Sequence, residues 1–173
     1  YLHVFDWPAG GILTLDRGSR LLRTWDENGK LLRSVGPAGI KRPNDVALDP
    51  SGRRFASASR DHGVRVHDAE TGAVIASYDA HPCSVKTVTW SHDGARVVAG
   101  YYDGSVLLWE PEPGTAKIVS PVQGHSVSQV SVLRDGGLVI SSWNPEGQVV
   151  LTDANGTVRE ILSRLLNRFE RAG

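Results

Sequence analysis

The stretch VLLWEPEPGT, residues 106–115, decides the fold because the chain repeats its pattern at a nearly fixed interval. Its counterparts are LLRTWDENGK from residue 21, VRVHDAETGA from residue 64 and VVLTDANGT from residue 149. The aligned residues that end the apolar runs lie 42, 42 and 43 positions apart and are Trp25, His67, Trp109 and Thr152. The acidic residues that follow them are Asp26, Asp68, Glu110 and Asp153. This spacing indicates a protein built from repeats.

Glycines follow the same period. The glycines that are each 42 positions apart are Gly10, Gly52, Gly94 and Gly136. Each one closes a short run of β type, and another apolar run follows it. A second set of turns contains Asn28-Gly29, Thr71-Gly72, Pro113-Gly114 and Asn155-Gly156, and Asn-Gly is a strong signal for a tight hairpin. Each repeat therefore holds three or four short strands joined by tight turns.

The third run of each repeat is apolar on both faces. In VLLW, Val106 and Leu108 point to one face, and Leu107 and Trp109 point to the other. A sheet that is buried on both faces needs a neighbour on each, and radially stacked propeller blades supply these neighbours. We therefore predict an all-β fold of four β-propeller blades, each a four-stranded antiparallel sheet, over about 1–35, 43–79, 85–120 and 127–162.

The repeats resemble those of the WD-repeat family. In the third repeat Ala80-His81 stands where the family has Gly-His, followed by VKTVTWSHDG and VVAGYYDGSVLLWE, and the fourth repeat has Gly124-His125. In this family a loop His, a Ser or Thr of the second strand, an Asp of the following turn and the Trp of the third strand form a buried tetrad. The resemblance implies these structural roles for His81, Asp103 and Trp109 in the third blade.

The same alignment implies structural positions in the other repeats. Asp61 precedes His67 by six residues, as Glu146 precedes Thr152, and His125 takes the loop position of His81. No tetrad is complete, because the third repeat has Ala99 in place of a Ser or Thr, and the first and second repeats depart at Ser19 and Gly39.

The two ends of the chain carry separate expectations. The chain contains no methionine, not even at position 1, so we expect a processed product or a piece of a longer polypeptide. Members of the WD-repeat family often have about seven blades, so we expect the remaining blades in further sequence or in another chain. Apolar residues recur at helical spacing near the C-terminus, which predicts a short helix over 163–173.

One segment resembles a different group of propellers. PNDVALDPSG, residues 43–52, is similar to the NHL-repeat and gluconolactonase-like propellers, which include metal-dependent lactonases with acidic and amide metal ligands near the axis. This resemblance implies an alternative function, a lactonase that binds a divalent metal. The strand ends with Trp and an acidic residue, together with the loops that contain His, favour the WD-repeat family.

Composition narrows the function classes. The 19 basic and 19 acidic residues cancel, so the total charge favours neither nucleic acid nor a membrane as partner. The single cysteine, Cys83, excludes an internal disulfide framework and fits a reducing compartment. No apolar run approaches the roughly 18 residues of a membrane span, and the N-terminal residues lack the pattern of a signal peptide. We expect an intracellular, cytoplasmic location.

Motifs for catalysis and cofactor binding are missing from the sequence. It contains no phosphate-binding loop, no nucleophile elbow, no C-x-x-C and no H-E-x-x-H. The six histidines are scattered without ligand spacing, and the acidic residues that recur fall in turns of the repeat. We therefore predict no catalytic residue, no metal site and no cofactor.

The remaining candidate is a binding surface. The family resemblance implies that proteins and peptides bind the top face, which is built from the loops between blades and the turns between second and third strands. The candidates in these turns are Arg60, His62, Tyr101, Tyr102, Trp143 and Asn144. Tyr101 and Trp143 end apolar strands, so each could point inward between blades instead. We predict a non-catalytic protein–protein interaction scaffold or sensor module within a multi-subunit complex or a larger regulatory chain.

Overall fold

Short apolar runs separated by glycine turns fold into four meandering sheets. The computed structural model describes residues 2–6, 11–16, 21–35, 43–122, 124–143 and 147–162. Blade 1 consists of β1 Leu2–Asp6, β2 Ile12–Asp16, β3 Leu21–Trp25 and β4 Leu31–Val35. Blade 2 consists of β5 Pro43–Leu48, β6 Arg54–Ser59, β7 Val64–Asp68 and β8 Val74–Tyr78.

The third and fourth blades repeat this arrangement. Blade 3 consists of β9 Val85–Trp90, β10 Val97–Tyr101, β11 Val106–Glu110 and β12 Thr115–Val119. Blade 4 consists of β13 Ser126–Val132, β14 Leu138–Trp143, β15 Gln148–Thr152 and β16 Val158–Ile161. Within every blade the strands pair antiparallel in the order in which they occur along the chain.

The predicted fold class is therefore confirmed: the described residues are all-β, with four-stranded antiparallel blades. The helix predicted over 163–173 lies outside the described residues. The described ranges contain no helix of the length and apolarity needed to cross a bilayer. The expectation that these blades belong to a larger ring stays a prediction.

The periodic glycines occupy turns that need left-handed backbone. Gly52, Gly94 and Gly136 have φ angles of 71°, 71° and 82°, a region that side chains with a Cβ avoid. Each turn is closed by a backbone hydrogen bond three residues back, such as Gly94 N to Ser91 O at 2.9 Å. The glycine period therefore fixes where the first and second strands of a blade reverse.

The central strands of blade 3 divide their side chains between two neighbouring blades. Leu107 and Trp109 pack in a core with Val66 of blade 2, whereas Val106 and Leu108 pack with Val127 of blade 4. The predicted burial of VLLW on both faces is confirmed, since all four side chains are buried. Burial on both faces explains why this run is apolar without alternation.

Polar contacts also join neighbouring blades. Asp45 Oδ2 in blade 2 accepts hydrogen bonds from Thr87 Oγ1 at 2.8 Å and from Val88 N at 3.0 Å in blade 3. At the opposite end of the sheets, Arg54 Nη2 donates to Gly94 O at 2.8 Å, and Arg96 Nη1 donates to the blade 4 carbonyl Ala154 O at 2.9 Å. Successive blades are therefore held together by apolar packing and by directional hydrogen bonds.

Candidate interaction surface and the repeat residues

The turns that were predicted to form a binding surface lie together at one end of the sheets. In blade 2 the register pairs Pro43 with Ser59 and Val64 with Tyr78. The turn 60–63 and the inter-blade loop 79–84 therefore lie at the same end. The same holds for turn 102–105 and the loop that begins at residue 120, since Val106 pairs with Val119. We call this end the top face.

Three exposed residues occupy equivalent positions on the top face. Strand register aligns Ser59, Tyr101 and Ser142, which pair with Pro43, Val85 and Val127 at the start of each blade. The residues that come next are Arg60, Tyr102 and Trp143, all exposed, with Tyr102 at 37% and Trp143 at 81%. The three residues therefore line up across three successive blades, and we call them the top-face row.

Hydrogen bonds to Ser84 hold the Arg60 and Tyr102 positions of the row in place. Ser84 Oγ donates to Arg60 O at 3.0 Å, and Tyr102 N donates to Ser84 O at 3.1 Å. The inter-blade loop therefore ties the turn of blade 2 to the turn of blade 3. The ammonium group of Lys86 lies 5.3 Å from the centre of the Tyr102 ring, a cation–π geometry that places a positive charge beside the exposed tyrosine.

Tyr101 does not belong to this surface, and its expected role as a partner-binding residue is wrong. Its side chain is 0% exposed and packs against the His81 ring at a centroid distance of 4.2 Å. Burial, with the nearby Tyr78 and Asp103, raises the pKa of the Tyr101 hydroxyl. Among the described residues this hydroxyl has no hydrogen-bond partner. The inward alternative for Tyr101 is therefore the observed one, whereas Trp143 points outward.

His62 is exposed and has an unusual backbone. Its φ is 75°, in the left-handed region, and the corresponding turn of blade 3 has Gly104 at φ 90°. A residue with a Cβ is strained in this conformation, although His tolerates it better than branched side chains do. Asn144, predicted to lie on the top face, and Glu146, predicted to be a structural residue of the repeat, lie outside the described residues.

Carboxylates in the turns of blades 2 and 3 are held by different side chains. Asp103 Oδ2 lies 2.9 Å from His81 Nε2, which is the pair that the family resemblance implies. Asp61 Oδ1 instead lies 3.0 Å from Arg65 Nη1, and Arg65 Nη2 lies 3.2 Å from Asp79 Oδ1. Partial burial opposes ionisation of both turn carboxylates, but hydrogen bonds keep the pKa of Asp61 and of Asp103 below the usual value.

His125 does not take the position of His81. His81 precedes Val85 by four residues, whereas His125 precedes the equivalent strand residue Val127 by two. The shared Ala-His or Gly-His pattern therefore does not mark the same loop position, because His125 lies two residues nearer to the start of its blade than His81 does. The expected equivalence of the two histidines is wrong in this register.

The third-strand positions Trp25 and His67 form polar contacts with the second strand of their blades. Trp25 Nε1 donates to Thr14 Oγ1 at 2.9 Å. His67 Nδ1 lies 3.3 Å from Gly72 O, which can only accept, so Nε2 is unprotonated and accepts from Ser57 Oγ at 2.9 Å. Burial lowers the pKa of His67 to about 4, which keeps the ring neutral.

The third and fourth blades lack such a pair. Register pairs Ala99 with Leu107 and Ile140 with Val150, so these two residues occupy the positions that Thr14 and Ser57 have in blades 1 and 2. Neither alanine nor isoleucine offers a hydroxyl. Thr152 Oγ1 donates to Asp153 O at 2.9 Å instead. The sequence-level departure at Ala99 is therefore a real loss of one polar contact.

The acidic residues after the third strands organise the following turns. Asp26, Asp68 and Asp153 each accept two backbone N–H bonds through Oδ1, for example from Asn155 N and Thr157 N, both at 2.8 Å from Asp153. Glu110 is paired with Arg96 at 2.8 Å. Hydrogen bonds lower the pKa of Asp68, Glu110 and Asp153. The three aspartates are therefore committed to turn geometry, whereas Glu110 forms an ion pair.

The polar groups of the PNDVALDPSG segment likewise bond within the protein. Asn44 Nδ2 donates to Val85 O at 2.6 Å, Asp45 accepts from Thr87 and Val88, and Asp49 accepts from Arg54 Nε at 3.2 Å. In the part of the chain that the structure describes, no three His, Cys, Asp or Glu side chains are placed to hold a metal ion. No observation in this segment favours a lactonase.

Radially packed antiparallel sheets with a period of about 42 residues define the chain as a β-propeller repeat protein. The family model described as WD domain, G-beta repeat, matches residues 29–68 and 72–110. This match, together with the relatives described below, supports a WD-repeat propeller family for the chain. Each match begins ahead of the outer strand of one blade and ends with the third strand of the next, so the sequence repeat is staggered relative to the blade.

Several known proteins are similar to this chain. Pre-rRNA-processing protein IPI3 of Mycosarcoma maydis is 28% identical over 138 residues, which cover 80% of this chain and 21% of that protein. Protein transport protein sec13 of Aspergillus fumigatus is 32% identical over 121 residues, 66% of this chain and 39% of that protein. COMPASS component SWD3 of Saccharomyces cerevisiae is 22% identical over 148 residues, 85% and 46% respectively. The chain thus spans less than half the length of these relatives.

The sequence missed several residues that position the surface. Lys86 and Ser84 contact the top-face row, yet neither belongs to a motif. Asp45 and Thr87, which bond to each other, are 42 residues apart. That spacing was a usable signal, because equivalent residues of adjacent blades lie side by side around the ring.

Proposed function

We propose that the protein is a non-catalytic interaction scaffold that binds a partner protein through the top face. The observation that carries the proposal is the top-face row, in which Arg60, Tyr102 and Trp143 are exposed at equivalent positions of successive blades. Large aromatic residues and arginine contribute most of the energy in many protein interfaces. An indole that is 81% exposed leaves much apolar area for a partner to cover.

The names of the relatives support this proposal. A COMPASS component and a nucleoporin, SEH1 of Bos taurus at 33% identity over 95 residues, are by name parts of larger assemblies. A fold hosts many functions, so this support concerns the class of function and not the partner. We further propose an intracellular, cytoplasmic location, with Cys83 as a free thiol.

Affinity purification of the tagged protein from its source cells tests the proposal. The comparison uses the double variant Tyr102→Ala/Trp143→Ala and a control, Leu32→Ala, which removes an exposed apolar residue of the outer strand β4. We expect proteins that co-purify with the wild type and with the control to be lost from the double variant. Identical sets of proteins for all three chains would contradict the proposal.

A further inference from the structure

We infer that the segment bound by the top face is acidic, with carboxylate side chains next to an aromatic or aliphatic one. The inference rests on the proposed function and adds the chemistry of the partner. It starts from the charges that surround the top-face row. The acidic side chains there are already hydrogen-bonded to other residues of the chain, whereas two basic side chains form no ion pair with a described residue.

Two cations at the row make no ion pair with any described residue. Arg60 is exposed, and its Nε donates to the neutral Asn44 Oδ1 at 3.3 Å. Lys86 stands over the Tyr102 ring at 5.3 Å. An arginine and a lysine that flank an exposed aromatic ring form a site where carboxylates gain charge-assisted hydrogen bonds while an apolar side chain covers the ring.

The nearby anions, by contrast, are engaged within the chain. Asp61 and Asp79 share Arg65 at 3.0 and 3.2 Å, and Asp103 is held by His81 at 2.9 Å. Asp45 accepts two hydrogen bonds from blade 3. Each of these carboxylates already accepts at least one hydrogen bond within the chain, so a cationic partner would compete with bonds that exist. An anionic partner finds donors that no carboxylate of a described residue has taken.

Trp143 extends this surface onto blade 4, where the neighbouring described residues are uncharged. Its strand partner is Ser126, and Ser141 and Ser142 precede it. Among the described residues, which exclude 144–146, the surface therefore changes from cationic and aromatic on blades 2 and 3 to neutral and aromatic on blade 4. Carboxylates of the bound segment are placed over Arg60 and Lys86, and its apolar side chains are placed over Tyr102 and Trp143.

Selection from a displayed random peptide library tests the inference with the purified protein. Wild type, the charge-reversed variant Arg60→Glu/Lys86→Glu and the control Arg53→Glu are used as baits. Arg53 is an exposed arginine in the turn at the opposite end of blade 2. All three baits should show the same thermal unfolding, which establishes that the comparison is between folded proteins.

We expect wild type and the Arg53→Glu control to enrich peptides with Asp or Glu beside Trp, Phe or Leu. The charge-reversed variant should lose this preference, and its affinity for a peptide selected on wild type should fall about tenfold or more. Selected peptides without an excess of acidic residues would overturn the inference, as would an unchanged preference after charge reversal. A single-stranded RNA oligonucleotide that binds more tightly than the peptides would overturn it as well.

The two proposals fail separately. If co-purifying proteins are lost from Tyr102→Ala/Trp143→Ala but the library shows no acidic preference, the scaffold proposal stands and the acidic partner is wrong. If the co-purifying proteins are unchanged in that variant, the top face is not the binding surface of the scaffold, whatever peptides it selects.

Discussion

Blades 2 and 3 build the same four-stranded sheet with different chemistry at matching positions. In blade 2 the pair His67 and Ser57 is buried and hydrogen-bonded at 2.9 Å. In blade 3 the corresponding pair is Trp109 and Ala99, which fill the space with apolar atoms. The backbone register is the same in both. The fold therefore requires side chains that fill this position without leaving a buried polar group unbonded. The two blades meet this requirement with different residues.

The turns of the two blades likewise use different side chains for the same role. Asp61 and Asp103 both sit in the turn between second and third strands, but Arg65 of the same blade holds one and His81 of the preceding loop holds the other. Among the described residues, which exclude the loop 36–42 ahead of blade 2, only blade 3 ties its turn to the preceding loop through this carboxylate. A comparison of the two blades separates what the repeat needs from what a single blade has acquired.

The polar pair of blade 2 predicts the largest effect, a dependence of stability on pH. The pKa of folded His67 is lowered to about 4 by burial, whereas an unfolded His titrates near 6.5. Below pH 6.5 the unfolded chain binds the proton that the folded chain excludes, so stability is lost as the pH falls towards 4. The expected loss is about 3 kcal/mol, measured by urea unfolding at a series of pH values.

The variant His67→Gln isolates this effect. A glutamine has no proton to gain in this range, so the free energy of unfolding of the variant should fall less steeply between pH 6.5 and 4 than that of wild type. His62→Gln, at an exposed turn, serves as the matched control and should keep the steep dependence. Equal slopes for wild type and His67→Gln would show that His67 does not carry it.

The second prediction concerns a substitution that places the blade 2 residue at the equivalent position of blade 3. Gly100 corresponds to Ala58, but a Cβ at Gly100 would collide with Val127 of blade 4 and lie 2.7 Å from its Cβ. Gly100→Ala should therefore destabilise the protein by about 2 kcal/mol, the usual range for overpacking. Chemical unfolding measures this, and Gly100→Ala/Val127→Ala should recover part of the loss. Additive losses in the double variant would contradict the proposed collision.

Much of the fold could be predicted because it depends on local signals with a period. The third strands, their acidic caps and the glycines at positive φ each follow from side-chain or backbone preferences that act over a few residues. The division of VLLW between two neighbours also followed from alternation along one strand. The helical tail stays a prediction because 163–173 lies outside the described residues.

The surface was harder to predict because it depends on contacts between residues distant in the sequence. Tyr101 continues the alternation of Val97 and Ala99 along β10 and is buried in the same core, whereas Tyr102 follows the end of the strand and is exposed. The histidine lies nearer to the first strand in the loop into blade 4 than in the loop into blade 3, so the apparent match of His125 to His81 fails. The position of Lys86 over Tyr102 is a contact between two strands of a folded blade, and it could be found only in three dimensions.

The buried tyrosine predicts the smallest effect, and one of opposite sign. Tyr101 is 0% exposed and its hydroxyl lacks a partner among the described residues, so the folded state loses the hydrogen bond that water gives the unfolded chain. Tyr101→Phe removes that penalty and keeps the ring against His81. We expect a gain of about 1 kcal/mol in the free energy of unfolding. Tyr102→Phe, where the hydroxyl reaches water, should change stability by less than about 0.5 kcal/mol. A loss of stability in Tyr101→Phe would mean that the hydroxyl has a partner, such as a buried water molecule, and that blade 3 contains a polar contact after all.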